Sequence, residues 1–353
     1  MTFAEARALF PVLERIAYLN AGTVGPLARP VADALAEGSE RDLVEGRSGM
    51  PFFEETLAAR DELRGAFALL VGADPAQVAL TTSTTEGCGI VLRGLGLGPE
   101  HEIVTTTDEH FGLLGPLGAS GARVVVVEPD PERILAAVSP RTRLMAVSEV
   151  LWTTGAVLPV AELRARSGVP VLVDGAQSVG AISTAFDGVD FLTISGQKWL
   201  CGPDTTGALV VADPERLAVV SPSYFGQRGY EPDGSFQPQD GARRLETTWF
   251  ARGTLNALAA ALALRPSWWL DRSSVAAATC RALLRSRVEL IEPDVSSTLV
   301  SFRPEGDPAE LVARLHEAGV HVREIPGRGL VRVSCGWWTS DGDLDRLAAA
   351  LDR

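Results

Sequence analysis

The sequence predicts an α/β protein: a mainly parallel sheet with helices on both faces, followed by a small α+β domain. Two observations predict the sheet. Strand-like and helix-like segments alternate through the middle of the chain, and several of the strands are short, continuous apolar runs. Alternation of this kind builds βαβ units, and strands covered on both faces read as uninterrupted β-branched stretches. The third observation is a change of pattern beyond residues 266–275, where a β-α-β-β-α order replaces the alternation.

Taken in order, "MTFAEARALFPVLERIAYLN" reads as an amphipathic helix. Glu5 and Glu14 within it exclude a secretion signal. Residues 102–107 (EIVTTT) are a strand, and the segment 109–120 follows it. Residues 122–129 (ARVVVVEP) are a β-branched run, expected to be buried on both faces. A helix over 132–138, a strand over 143–150 and a helix over 160–167 come next. Residues 169–177 form a strand running into a loop, and 191–196 and 207–213 are two more strands. The tail gives strands at 297–304, 320–326 and 330–337 and helices at 309–320 and 341–352. These assignments divide the 353 residues into a large domain, 16–265, and a small one made of 1–15 and 266–353.

Composition narrows the function. Hydrophobic residues make up 46% of the chain and mean hydropathy is +0.13, as in a globular protein. No apolar run reaches membrane-spanning length, so a cytoplasmic protein is expected. A net charge of −13 argues against nucleic acid as a main partner. Cys88, Cys201, Cys280 and Cys335 lie far apart, without metal-ligand spacing. They read as reduced, partly buried thiols, and no metal is expected.

The stretch "SGQKWLCG" (195–202) holds the only lysine among 32 Lys and Arg residues. Arginine stays protonated near neutral pH, whereas a desolvated lysine can act as a base and form a Schiff base. A coding preference for arginine with one chance survivor is the alternative, and the surroundings decide. Two further loops follow strands. In "TTSTTEGCG" (81–89) hydroxyls and glycines precede an apolar stretch, as at a helix N-terminus that holds an anion. Thr84 and Thr85 are the phosphate candidates there, against an ordinary N-cap that needs one hydroxyl. In "VLVDGAQSVG" (171–180) Asp174 ends an apolar strand and Gln177 lies three residues on. A buried carboxylate needs a cation, and a protonated pyridine nitrogen is one candidate; a plain turn residue is the other. Ser195 and Lys198 also match the Ser-x-x-Lys spacing of serine hydrolases, but Gly196 intervenes where those need a helix start. A Schiff-base lysine, an acid for a ring nitrogen and an anion cradle together are what pyridoxal phosphate needs.

With these residues the chain resembles the fold-type I pyridoxal-phosphate enzymes of aminotransferase class V. The likeness runs from "AYLNAGTVGPL" (17–27) to "VRVSCGWW" (331–338), and its most specific part is "VDGAQSVGA" with "DFLTISGQKWLCGP". The resemblance implies a seven-stranded sheet, pyridoxal 5'-phosphate as cofactor, an amino-acid substrate and a homodimer with shared active sites. It implies that Lys198 carries the aldehyde, Asp174 pairs with the ring nitrogen, Gln177 bonds the phenolic oxygen and His110 of "TTDEHFG" stacks on the ring. Ser195 and Gln197 match phosphate contacts, Gln197 standing where a histidine is usual. Within the class, "TTSTTEGCGIVLRGL", "VSEVLWTTGAVLPV", "YFGQRG" and the arginines of "HVREIPGRGLVRVS" are similar to cystine and cysteine C–S lyases. Isopenicillin-N-epimerase-like proteins share much of this pattern; cysteine desulfurases and aminotransferases share the core. Arg323 and Arg332 would bind substrate carboxylate, with Asn20 nearby. Trp152, Tyr224 and Arg228 are pocket candidates. The family presents a threonine to the partner's phosphate three residues after the Glu of an Arg-x-Glu segment. Here Trp249 stands there, with Thr248 beside it as the substitute. Cys335 falls in a strand pattern, not on a mobile loop, which points to a lyase rather than a desulfurase.

Overall fold

The computed structural model describes residues 1–353. Seven strands make the central sheet: β1 (Val78–Thr81), β2 (Glu102–Thr106), β3 (Arg123–Val127), β4 (Thr142–Ser148), β5 (Val171–Asp174), β6 (Phe191–Ser195) and β7 (Gly207–Val211). Their order is β1-β7-β6-β5-β4-β2-β3, and β7 alone runs against the direction of the other six. Successive residues of one strand feed opposite cores: Met145 and Val147 pack on one face, Leu144 and Ala146 on the other. That two-sided burial explains the continuous apolar runs seen in the sequence.

The run 122–129 is the exception. Its strand, β3, lies at the sheet edge, and Val126 is 52% exposed. Composition alone does not distinguish an edge from a centre, because neighbours in the sheet, not the strand itself, supply the burial. The N-terminal stretch also departs from a single helix. A helix over Phe3–Ala8 ends before Pro11, a 3-10 turn follows over Pro11–Glu14, and Ala17–Tyr18 becomes a short strand. Proline lacks the N–H that a continuing helix would use and clashes with the preceding turn.

The tail folds as expected, with one added strand. β8 (Glu289–Leu290), β9 (Leu299–Arg303), β10 (Arg323–Ile325) and β11 (Leu330–Ser334) form an antiparallel sheet in the order β8-β9-β11-β10. Helices Pro308–Glu317 and Asp341–Leu351 accompany it. Ala17–Tyr18 pairs in parallel with Val320–His321, and Ala17 and Leu19 pack in the C-terminal core. We propose the division into 16–265 and 1–15 with 266–353 on this packing, with the Ala17–Tyr18 strand bridging the two. No helix is long and apolar enough to cross a membrane.

Candidate active site

The carboxyl ends of the parallel strands share one rim, where open α/β sheets bind ligands. β2 leads to His110, β4 to Trp152, β5 ends on Asp174 and β6 leads to Lys198. The hairpin of β10 and β11 brings Arg323 and Arg332 to the same place.

Asp174 is 3% exposed, and its one hydrogen bond from the protein comes from the Ala176 N–H, 2.9 Å from Oδ1. A buried carboxylate without a bonded cation is costly. Lys198 is half-buried in the turn after β6. Burial pulls its ammonium down to about 8; Asp174 opposes that shift and Arg332 adds to it. The amine is therefore partly unprotonated near neutral pH. Gln177 is more committed than a free donor: Nε2 donates to the Gly22 carbonyl at 2.8 Å, and Oε1 accepts from Trp199 Nε1 at 3.0 Å. One amide N–H remains for another acceptor.

The phosphate candidates separate cleanly from the cap. Ser83 caps the helix Thr84–Gly94, its hydroxyl accepting from the Glu86 N–H at 3.1 Å. Thr84 and Thr85, the first two helical residues, keep their hydroxyls and backbone N–H groups for another acceptor. Ser195 donates to Gln197 Oε1 at 2.9 Å, an orientation that leaves the Gln197 amide nitrogen as a donor. His110 caps the helix Phe111–Gly118 by accepting from the Gly112 N–H at Nδ1, 3.0 Å away. The neutral ring then carries its proton on Nε2. Its pKa is lowered by burial and next by the Lys198 charge. The ring meets Trp152 edge-on at 5.2 Å.

Arg332 is 2% exposed and pairs with no carboxylate; Nη1 donates to the Trp152 carbonyl at 2.7 Å and Nε has no partner. Its cross-strand partner in register is the exposed Arg323. Burial first, then the like charge of Arg323, disfavours its charged form. Two cations directly opposite on a sheet repel, an arrangement that favours an anion between them. Gly22 lies against both Arg332 and Gln177: a Cβ there would sit 2.6 Å from Arg332 Nη2 and 3.0 Å from Gln177 Oε1. Asn20 forms a bridge to Ser334 and accepts from Thr23 Oγ1 at 2.8 Å, which leaves its amide nitrogen without a protein acceptor.

Three further candidates make other contacts within the chain. Tyr224 is 64% exposed, and Arg228 pairs with Asp240 at 2.9 Å. Both line a surface depression of about 520 Å³ with Met50, Phe53 and Leu57, apart from the Lys198 cluster. Thr248 turns toward Glu86 of the same chain at 3.5 Å, and Thr247 also donates to Glu86. Glu246, the Glu of the Arg-x-Glu segment, is held by the buried guanidinium groups of Arg60 and Arg64. Sequence reasoning passed over Glu86 and Glu109. Glu109 sits beside His110 in a quoted motif, and a carboxylate between two strand ends was the available clue.

The donors and acceptors present fit pyridoxal phosphate: an amine of lowered pKa, a buried carboxylate lacking a cation, and a helix N-terminus with spare hydroxyls. Comparison with known proteins agrees. An isopenicillin N epimerase of Streptomyces clavuligerus is 32% identical, covering 99% of this chain and 97% of its own length. A probable cysteine desulfurase of Pseudomonas aeruginosa is also 32% identical, over 98% and 97% respectively. Among solved structures, the cystine C–S lyase C-DES in complex with its product cysteine persulfide superposes with a TM-score of 0.90 at 26% identity, covering 97% of this chain and 98% of that one. A second C-DES structure, with glycine covalently linked to its PLP cofactor, gives 0.89 at 26% identity, over 98% of each chain. The family model described as Aminotransferase class-V matches residues 17–340, nearly the whole rim and hairpin just described, and the chain belongs to that family.

Proposed function

We propose that this chain is a pyridoxal-phosphate enzyme that removes the α-proton of a sulfur amino acid and releases the sulfur group from its β-carbon, a C–S lyase acting on cysteine, cystine or a relative. The observation that carries the amino-acid part is Arg332, a buried guanidinium without a carboxylate, opposite Arg323 and beside Lys198. A substrate carboxylate meets that demand in a bidentate fork. The cofactor is pyridoxal phosphate; when bound, its protonated ring takes up the electron pair left by the departing Cα proton. The rest is done by the chain. Lys198 holds the cofactor and carries the proton at Nζ. Asp174 keeps the positive charge on the ring nitrogen, and Gln177 offers its remaining N–H to the phenolic oxygen. His110 covers the ring face. Thr84, Thr85, Ser195 and Gln197 hold the phosphate. Asn20 lies next to the carboxylate fork.

The cysteines support a lyase over a desulfurase. All four are buried. Cys335 is 0% exposed, directly after β11, with its N–H on the Thr298 carbonyl. Burial drives the Cys201 thiol up, and Cys88 and Cys335 are raised well above their ordinary value. A sulfur acceptor has to be a mobile thiolate. Cys335→Ala and Cys201→Ala are therefore expected to leave sulfur release from cysteine and cystine unchanged. Loss of sulfide with cofactor binding intact would transfer the assignment to a desulfurase.

A second reading, an amino-acid epimerase, is favoured by the 99% coverage of this chain by the isopenicillin N epimerase relative. Product analysis against a panel of amino acids decides. Pyruvate and ammonia with released sulfur mark the lyase; the opposite enantiomer with sulfur retained marks the epimerase. Alanine with protein-bound sulfur marks a desulfurase. Arg332→Leu tests the carboxylate fork under either reading. It is expected to raise KM about 10- to 100-fold, the loss of a charged hydrogen-bond pair, while cofactor affinity holds. An unchanged KM would place the substrate carboxylate elsewhere.

We also infer a homodimer. Met50 (67%), Tyr224 (64%), Trp249 (47%) and Leu57 (45%) are exposed, and a partner surface would cover them.

A further inference from the structure

Glu109 is a buried carboxyl to which the mechanism above gives no task. It is 4% exposed and immediately precedes His110. Its Oε1 accepts from Thr106 Oγ1 at 2.8 Å, at the end of β2. Its Oε2 accepts from the Ser148 hydroxyl at 2.6 Å and the Ser148 N–H at 3.0 Å, at the end of β4. Ser148 is the registered neighbour of Asp174 on β5. One side chain thus fastens together two strand ends, and the third, adjoining strand carries Asp174.

The charged surroundings of Glu109 are one-sided. Asp174 acts on it from β5, and the buried Cys88 of the helix Thr84–Gly94 lies within the field of both carboxyls. His110 adjoins it on its own loop. Its hydrogen-bond partners are Thr106 and Ser148, both neutral, and it forms no ion pair.

We propose that Glu109 is a positioning residue: it holds Asp174 and His110 in place through Ser148 and Thr106, and its negative charge reinforces Asp174 in keeping the ring nitrogen protonated. The proposal rests on the cofactor reading above. Burial pushes the Glu109 carboxyl up to about 7, against the hydrogen bonds from Ser148 and Thr106 and with help from Asp174. Its charge therefore switches on across neutral pH. Above that range the Glu109 charge adds to that of Asp174; below it, it does not.

Glu109→Gln keeps the shape without the charge, and Glu109→Ala removes both. In wild-type holoenzyme kcat is expected to rise with pH through a limb near 7, a limb absent from Glu109→Gln. The ratio of the two rates should grow from near unity at pH 6 to about threefold at pH 8.5, half a unit on the ring nitrogen. Fluorescence titration with pyridoxal phosphate at pH 6 should show near wild-type affinity for Glu109→Gln and an about tenfold weaker Kd for Glu109→Ala, the worth of one hydrogen bond to a positioned group. A third readout needs no cofactor. The folded carboxyl keeps its proton between its unfolded value near 4.5 and about 7, so native stability falls as pH rises through that window. Glutamine does not ionise, so its Tm advantage over wild type should widen from pH 4.5 to 7 and stay level above. A retained kcat limb in Glu109→Gln, or a pH-independent Tm gap, overturns the charge role. Wild-type affinity in Glu109→Ala overturns the positioning role. Failure of the wild-type chain to take up pyridoxal phosphate sinks the cofactor reading and this proposal together, and is distinguished by the Tm gap, which reads the Glu109 titration alone.

Discussion

Lys198→Ala is expected to lower turnover by at least about 10³-fold, because under the proposed mechanism the position would supply both the cofactor attachment and the proton carrier. Borohydride reduction of the wild-type holoenzyme should fix cofactor on the peptide containing Lys198. The chain has no other lysine to compete for it. Label on any other peptide would refute the assignment. The fold should survive and, at neutral pH, gain. The Lys198 ammonium is pulled from 10.5 down to about 8 in the folded chain. Between those values the unfolded state holds the proton more tightly, so wild-type stability rises with pH across the window. Apo Lys198→Met, which cannot ionise, should therefore exceed wild type in Tm at pH 7. The difference should close toward pH 10.5. A gap that does not change with pH would mean the amine is fully solvated.

Asp174→Ala is the second large effect, an expected loss of about 10²- to 10³-fold in kcat, the scale of removing one preorganised electrostatic partner. Asp174 forms no ion pair within the protein, and its one backbone hydrogen bond is with Ala176 N–H. Its removal should thus strip the charge that, in the proposed mechanism, would hold the ring nitrogen protonated, while costing the apo fold only about 1–3 kcal/mol for the orphaned N–H. Thermal melts of the apo protein set beside single-turnover rates of the loaded one separate the two quantities. Equal turnover in a fully loaded variant would remove Asp174 from the chemistry.

The sheet was legible because its strands are buried on both faces, and burial leaves a compositional trace. The exposure of β3 was not, since the sequence of a strand does not record whether a neighbour stands on each side. Lys198, Asp174 and Thr84 could be named from short loops, each following an apolar run. Arg332 came from the spacing of a tight hairpin and the likeness around it. The positions of Tyr224 and Arg228 were not legible. Arg228 lies in a hairpin of its own, Gln227–Tyr230 with Phe236–Pro238, and Tyr224 precedes it, so neither follows a strand of the central sheet. Glu109 escaped notice for the opposite reason. Its partners Thr106 and Ser148 end different strands, and only the sheet order makes them neighbours.

The short parallel pairing of Ala17–Tyr18 with Val320–His321 joins the two ends of the chain, and so cannot form until synthesis is nearly complete. Asn20 and Gly22 leave that strand to meet Ser334 and Arg332. A chain emerging from the ribosome can close its central sheet once β7 is out, yet the residues that would grip the substrate wait for nearly the last tenth of the polypeptide. Contacts this distant in sequence close late. Prematurely terminated products would accordingly keep the loops of Thr84, Asp174 and Lys198 but lack Arg323 and Arg332, the proposed carboxylate fork.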